Sequence, residues 1–241
     1  MVKRIFVTLL FSLLLLTCSD NSSGSNNFGQ GVIKIGYISE AGKNYALSRL
    51  SSYANNTALL QANNITDFTI TQITSDVNPA ELSKYNIIYL AEDWGVTTVS
   101  TYDNILANAD AFRNFIEDGG ALYSDQPNAY DRAGGITIDF LPTPLTIFGS
   151  YTNEEITITD PIHYITSGID SVDMPLTGDQ VKDLPDAYTV LAKGSKTGYP
   201  ALFVQEYGEG KILFCMGSAN RTSVHPFSDE VHLRMLSWLV Q

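Results

Sequence analysis

The residues most able to do chemistry gather in four short stretches. Ser39-Glu40, Glu92-Asp93-Trp94-Gly95, Ser124-Asp125-Gln126 and Gly217-Ser218-Ala219-Asn220-Arg221 each follow an apolar run of strand length. An indole beside carboxylates, amides and one guanidinium suits a sugar or another neutral polyol, with Trp94 supplying a stacking face. Glu40, Asp93, Trp94, Ser124, Asp125, Asn220 and Arg221 are therefore the candidate ligand-binding residues. The segment Asn128 to Gly149, with its Pro and Gly, is long enough to fold over such a site as a lid.

Nucleophilic catalysis has thinner support. Ser124 with His225, oriented by Asp229 or Glu230, has the composition of a hydroxyl nucleophile, a base and an acid. Yet the Gly-x-Ser-x-Gly elbow that exposes a catalytic serine is missing, since Tyr123 and Gln126-Pro127 stand where glycines would relieve crowding. His225-Pro226 is equally explained as a polar loop before the last helix. The three histidines, His163, His225 and His232, share no metal-ligand spacing, so neither a metal nor another cofactor is expected. Tyr207-Gly-Glu-Gly210 has no following helix and no Lys-Ser/Thr, and reads as a hairpin turn rather than a phosphate loop.

These stretches need a frame, and hydrophobic periodicity provides one. Val32 to Ile38 reads as a strand buried on both faces, and Leu47, Leu50, Ala54 and Ala58 recur at helical spacing. Asp67 to Ile73 alternates like a strand, and Asn86 to Ala91 is the most apolar strand. A helix capped by Ser100, with Asp103 three residues on, should carry Ile105, Ala109, Phe112 and Ile116 inward and stop at Gly119-Gly120. Ala121 to Tyr123 then forms a short strand, which makes Ser124-Asp125 the start of a turn. Glu155 to Thr159, Tyr188 to Ala192, Ala201 to Gln205 and Lys211 to Met216 suggest an antiparallel section. A last helix from about Ser228 returns Val231, Met235, Trp238 and Leu239 to the core. Such alternation predicts an α/β fold: a flavodoxin-like, doubly wound, mostly parallel sheet with an added antiparallel section.

Four motifs then carry a resemblance. Lys84–Ala91 (KYNIIYLA), Phe115–Tyr123 (FIEDGGALY), Asp160–Gly168 (DPIHYITSG) and Glu206–Leu213 (EYGEGKIL) resemble, in this order, the class I glutamine-amidotransferase-like superfamily, in its trehalose-utilisation-like branch. The resemblance spans residues 32–241 and implies the same α/β domain. Catalytic members place a cysteine on the turn after a sheet strand, with a His-x-Glu pair downstream. Here the comparable turn reads Ser124-Asp125-Gln126-Pro127, so cysteine amidotransferase chemistry is not expected.

The N-terminus gives an address. Lys3 and Arg4 precede an apolar run, Ile5 to Leu16, too short to span a bilayer and suited to a signal peptide. Leu15-Leu16-Thr17-Cys18 resembles a bacterial lipobox, with Thr17 where Gly, Ala or Ser is usual. Residues 1–17 are thus expected to be a lipoprotein signal peptide. Residues 18–31 would be lipidated Cys18 and a tether of mostly Ser, Asn and Gly, and residues 32–241 the folded domain. The tether, Ser19 to Gly31, spans roughly 20 Å as a random coil. Ser19 after the cysteine resembles outer-membrane sorting, so the expected location is the cell envelope, lipid-anchored, at the outer membrane. The second cysteine, Cys215, lies in an apolar run and reads as an inert core residue.

Charge narrows the partners. The chain holds 14 Lys+Arg against 26 Asp+Glu, a formal −12. Loss of Lys3 and Arg4 leaves 12 basic residues against the same 26 acids, or −14. Nucleic acid is excluded as a partner, because phosphate binding needs basic patches. Anionic lipid heads are repelled as well, so a lipid and not the surface charge must hold the membrane. The expected function is a non-catalytic envelope protein that binds a small polar ligand, a sugar among the candidates, or a partner envelope protein. A hydrolase of glycans or amides and a structural scaffold are the alternatives.

Overall fold

The computed structural model describes residues 32–38, 45–63, 65–74, 77–91, 99–125, 135–149, 154–169, 179–216 and 229–241. The chain alternates β1 (Val32–Ile38), α1 (Tyr45–Ala54), α2 (Thr57–Ala62), β2 (Asp67–Gln72), α3 (Pro79–Leu82), β3 (Ile87–Leu90), α4 (Val99–Ala107), α5 (Ala109–Glu117) and β4 (Ala121–Asp125). The order continues with β5 (Ile136–Ile138), β6 (Leu145–Ile147), β7 (Ile156–Ile158), β8 (Thr189–Gly194), β9 (Pro200–Tyr207), β10 (Gly210–Cys215) and α6 (Asp229–Leu239).

Eight strands form one sheet in the order β2-β1-β3-β4-β10-β9-β8-β7. The first five are mutually parallel, and β9, β8 and β7 add on antiparallel. With β10 in the fifth place, the parallel part has the flavodoxin-like order, whose strand direction of winding reverses between β1 and β3. The expected fold class is therefore what the chain adopts.

Both faces of the sheet are covered. On one, Tyr37, Tyr89, Tyr123 and Leu213 pack against Leu50 and Tyr53 of α1, Leu60 of α2, and Leu236 and Trp238 of α6. On the other, Ile88, Leu122 and Phe214 pack against Phe112 and Ile116 of α5 and against the β5–β6 hairpin.

Two helical periods break where asparagine intervenes. The run through Leu47 to Ala58 splits at Asn55-Asn56, and Asn56 Oδ1 accepts the Leu59 N–H at 3.2 Å to cap α2. The run from Ser100 to Ile116 splits at Asn108, whose side chain donates back to the Asn104 carbonyl at 2.9 Å. Ser100 lies inside α4, which starts at Val99, so it is not the cap. Ile105, Phe112 and Ile116 are buried as expected.

The lid expectation is corrected over its described part, residues 135–149. Ile136, Ile138, Phe140, Leu141, Leu145 and Ile147 are all buried against the sheet. Apolar alternation in ITI and LTI makes this segment a small hairpin of the core.

Candidate functional site

Three adjacent parallel strands place a tyrosine at the same level. Tyr37 of β1 pairs in register with Tyr89 of β3, and Tyr89 with Tyr123 of β4. All three point to the α1/α6 face, and none exceeds 4% exposure. Tyr89 and Tyr123 rings lie 4.7 Å apart. Two residues on, toward the carboxyl edge, Asp125 faces the same side, because strand side chains alternate. The Tyr89 hydroxyl leans one pleat along the sheet and donates to Asp125 Oδ2 at 2.7 Å. Asp125 pairs in register with Cys215 of β10.

The helix above completes the set. His232 of α6 is fully buried, and its Nδ1 lies 3.0 Å from the Tyr123 hydroxyl. The same hydroxyl is 3.8 Å from Met235 Sδ. His232 stacks on Tyr53 of α1, with ring centroids 5.5 Å apart. Burial pushes the Tyr123 phenol well above its usual range, and the neighbouring Asp125 carboxylate adds to that. Tyr123 is thus a neutral phenol, able to donate to the imidazole or to accept from it according to the tautomer.

Phenol, carboxylate and imidazole therefore meet within the apolar face of a parallel sheet, at the carboxyl half of its central strands. A carboxylate accepts from sugar hydroxyls, and phenol and imidazole both donate and accept, so the set has the chemistry to orient a polyol. In flavodoxin-like sheets ligands sit beyond the strand carboxyl ends at the β1/β3 reversal, where Tyr37 and Tyr89 lie.

The residues expected from sequence fall into three groups. Glu40, Asp93, Trp94, Asn220, Arg221 and His225 lie outside the described residues, as do Cys18 and Glu92. Ser124 and Asp125 are present, but as the last two residues of β4, not as the opening of a turn. Both are buried, and alternation turns Ser124 toward the α5 face, opposite Asp125. Glu230 is exposed in the first turn of α6 and pairs with Arg234 Nη2 at 2.6 Å. The adjacency behind the candidate pocket holds: β3 and β4 are parallel neighbours, so the segments after them leave from one edge. Tyr53, Tyr89, Tyr123 and His232 were missed. The signal for Tyr89 and Tyr123 is a tyrosine in each of three apolar strands, which is ordinary strand composition, and Tyr53 and His232 lie on helices with no such signal. Among the described residues no cluster of three or more His, Cys, Asp or Glu could hold a metal ion, and no helix is long and apolar enough to cross a membrane.

Two of the quoted motifs meet at the other edge of the sheet. The β9–β10 turn docks on the end of α5: Glu209 N–H donates to the Glu117 carbonyl at 3.0 Å. A Cβ on Gly210 would overlap the carbonyl oxygens of Ile116 and Gly120, and one on Gly208 would lie 2.6 Å from the Glu117 oxygen. Gly208 also has φ +59°, confirming a hairpin turn that requires glycine.

No known family profile matches the sequence, and no curated protein matches it either. Solved structures do. Cytoplasmic protein STM1381 from Salmonella typhimurium LT2 superposes with a TM-score of 0.59 at 16% identity, over 87% of this chain and 100% of that one. A ThuA-like protein from Bacteroides uniformis gives 0.52 at 14% identity, over 87% and 91%. A second ThuA-like protein, from Parabacteroides merdae, gives 0.50 at 15% identity, over 88% and 91%. The fold is ThuA-like. At these identities the likeness speaks for the fold alone, in line with the trehalose-utilisation-like resemblance. The ThuA-like fold leaves the chemistry to be argued from the residues of this chain.

Proposed function

We propose that this chain is a lipid-anchored cell-envelope protein whose ThuA-like domain binds a small polar ligand of sugar or polyol type. The ligand would sit at the carboxyl edge of β1, β3 and β4. The supporting observation is the buried set of Asp125 with Tyr89 and Tyr123 with His232. A sheet core is most cheaply built from Leu, Ile and Phe, as the opposite face of this one is. A carboxylate and an imidazole held in the other face, just below the strand ends, sacrifice stability for polar groups of defined orientation. Trp94, Glu40, Asp93, Asn220 and Arg221 would extend the site from the loops. Binding is favoured over hydrolysis because Ser124 is buried within β4 rather than exposed on a turn, and Glu230 pairs with Arg234 at the surface. Anchoring through Cys18 rests on the charged n-region, the short apolar run, the lipobox-like end and the tether.

Thermal shift of the purified chain against monosaccharides, disaccharides and cell-wall fragments tests the binding. A ligand at a hundred times its Kd adds about 2.7 kcal/mol, roughly 5–10 °C in Tm for a chain of this size. Asp125→Asn should abolish that shift while leaving the protein folded. A full shift in Asp125→Asn, or none with any polyol, would refute the site. Cys18→Ser should release the chain from the membrane fraction; retention there with an unmodified Cys18 would refute the anchor.

A further inference from the structure

Among the described residues three large apolar side chains are exposed: Val32 at 45%, Ile162 at 88% and Tyr164 at 38%. A single exposed apolar residue needs no explanation. These three share one end of the domain, the edge where the parallel strands begin. Val32 opens β1 and pairs with Asp67, the first residue of β2. Ile162 and Tyr164 belong to the turn segment 160–168 that follows β7. That segment reaches the same end: His163 lies 5.7 Å from the Trp238 ring, and Lys211, near the start of β10, donates to the Trp238 carbonyl at 2.9 Å. The Tyr164 hydroxyl meets Asn63, which closes α2 just ahead of β2, and Ser237, each at 3.3 Å.

The turn is stiff. Asp160 Oδ1 accepts the N–H groups of Ile162 at 3.2 Å and His163 at 3.1 Å. Thr166 Oγ1 donates to the Asp160 carbonyl, and Arg234 Nη1 donates to the Ser167 carbonyl at 2.6 Å. An isoleucine displayed on such a frame gives up little conformational freedom when it is covered, which is what an anchor residue needs.

The same edge receives the preceding chain. Residue 32 is joined to Cys18 by the tether of roughly 20 Å, so an anchored chain holds this end nearest the bilayer. We propose that the amino edge of the domain rests on the lipid surface, with Ile162 inserted at headgroup level and Tyr164 beside it. The ligand-binding edge would then face away from the membrane. This inference rests on the lipid-anchored reading above. One isoleucine cannot hold a domain on a bilayer; the anchor makes the contact intramolecular, and the contact then sets orientation. Charge selects the lipid. Asp67, Asp160, Glu117, Asp118, Glu206 and Glu209 lie at or near this edge and outnumber its lysines, Lys34, Lys84 and Lys211, of which Lys84 is paired with Glu81, so neutral zwitterionic headgroups are favoured over anionic ones.

The test uses the full chain, acylated at Cys18, in phosphatidylcholine vesicles. An environment-sensitive fluorophore is placed at Ile162→Cys, and in a second protein at Ser195→Cys, an exposed position in the β8–β9 turn at the opposite edge. Cys215 is buried and leaves the label site unique. The expected result is blue-shifted emission at 162, quenched by lipids carrying a nitroxide near the headgroup, with neither effect at 195. The shift at 162 should shrink when a quarter of the lipid is anionic. Equal exposure of both labels on vesicle-bound protein overturns the docking and leaves the anchor standing. A chain that fails to float with vesicles overturns the anchor, and the docking with it. A blue shift at 162 in Cys18→Ser protein without lipid means that a second copy covers the edge, and also overturns the docking.

Discussion

Tyr89→Phe removes a single oxygen, and its consequence can be worked from two contacts. The ring stays 4.7 Å from Tyr123, so no cavity opens and the apolar term is unchanged. What disappears is a 2.7 Å hydrogen bond to Asp125, between residues 1% and 2% exposed. Hydrogen bonds to charged groups are worth about 1.5–3 kcal/mol net. The expected cost is therefore about 2 kcal/mol, roughly 4–8 °C in Tm for a chain of this size. Urea unfolding followed by far-UV circular dichroism and by fluorescence measures it, with coincident curves required before a free energy is taken. A double-mutant cycle isolates the bond: with Asp125→Asn already present, Tyr89→Phe should cost about 1 kcal/mol less than alone. A cost below about 0.5 kcal/mol, or the same cost in both backgrounds, would refute the claim that Tyr89 orients this carboxylate.

Gly210→Ala should cost about 3 kcal/mol or more, because the new Cβ meets two backbone oxygens that cannot rotate away. Gly198→Ala, at φ +71° with open space around it, should cost only about 1 kcal/mol of backbone strain; equal costs in urea unfolding would refute the docking of the turn on α5. Burial raises the Tyr123 and Tyr188 phenols above their ordinary 10.0, so the folded chain keeps protons that the unfolded chain releases. Stability should be complete below pH 10 and fall as pH rises beyond it, by up to about 1.4 kcal/mol per unit for each phenol, as read from urea midpoints between pH 8 and 11. Glu154, 3% exposed, accepts from Lys196 N–H at 2.6 Å and Thr197 N–H at 2.8 Å. Both N–H groups go to Oε2 and the Thr197 hydroxyl donates to Oε1, so Glu154→Ala, which removes both acceptors, should cost about 1–3 kcal/mol and speed hydrogen exchange at residues 196 and 197.

The sheet was legible because burial writes itself into composition. IIYL at 87–90 and ILFC at 212–215 are buried throughout, and only central strands tolerate such runs. Helix breaks were less legible, since Asn56 and Asn108 act through side-chain hydrogen bonds that a periodicity count does not weigh. The hairpin at 136–147 was mistaken for a lid because its strands are only three residues each, while the prolines between them read as loop. The candidate site was legible in position alone. Polar residues after strands attract attention, whereas Tyr89, Tyr123 and His232 sit inside apolar runs and look like core. Only the register of β3 with β4 and the placing of α6 bring their polar atoms together.

That division explains why the motifs speak for fold and not for chemistry. FIEDGGALY and EYGEGKIL, far apart in sequence, are two sides of one contact: the α5 end presents carbonyls that only glycines at 208 and 210 can approach. DPIHYITSG is a turn fastened by Asp160 to its own backbone and by Arg234 to α6. Each motif has a steric or hydrogen-bonding reason to exist in any chain that winds this way, whatever it binds. All three lie at or near the edge where the parallel strands begin, away from Asp125. On the proposed reading, ligand specificity would come from the opposite edge, where the residues differ in kind: an acid and a phenol on β4 and β3, and an imidazole from α6. Function should therefore respond to Asp125 and Tyr89, and stability to Gly208 and Gly210, with little exchange between the two sets.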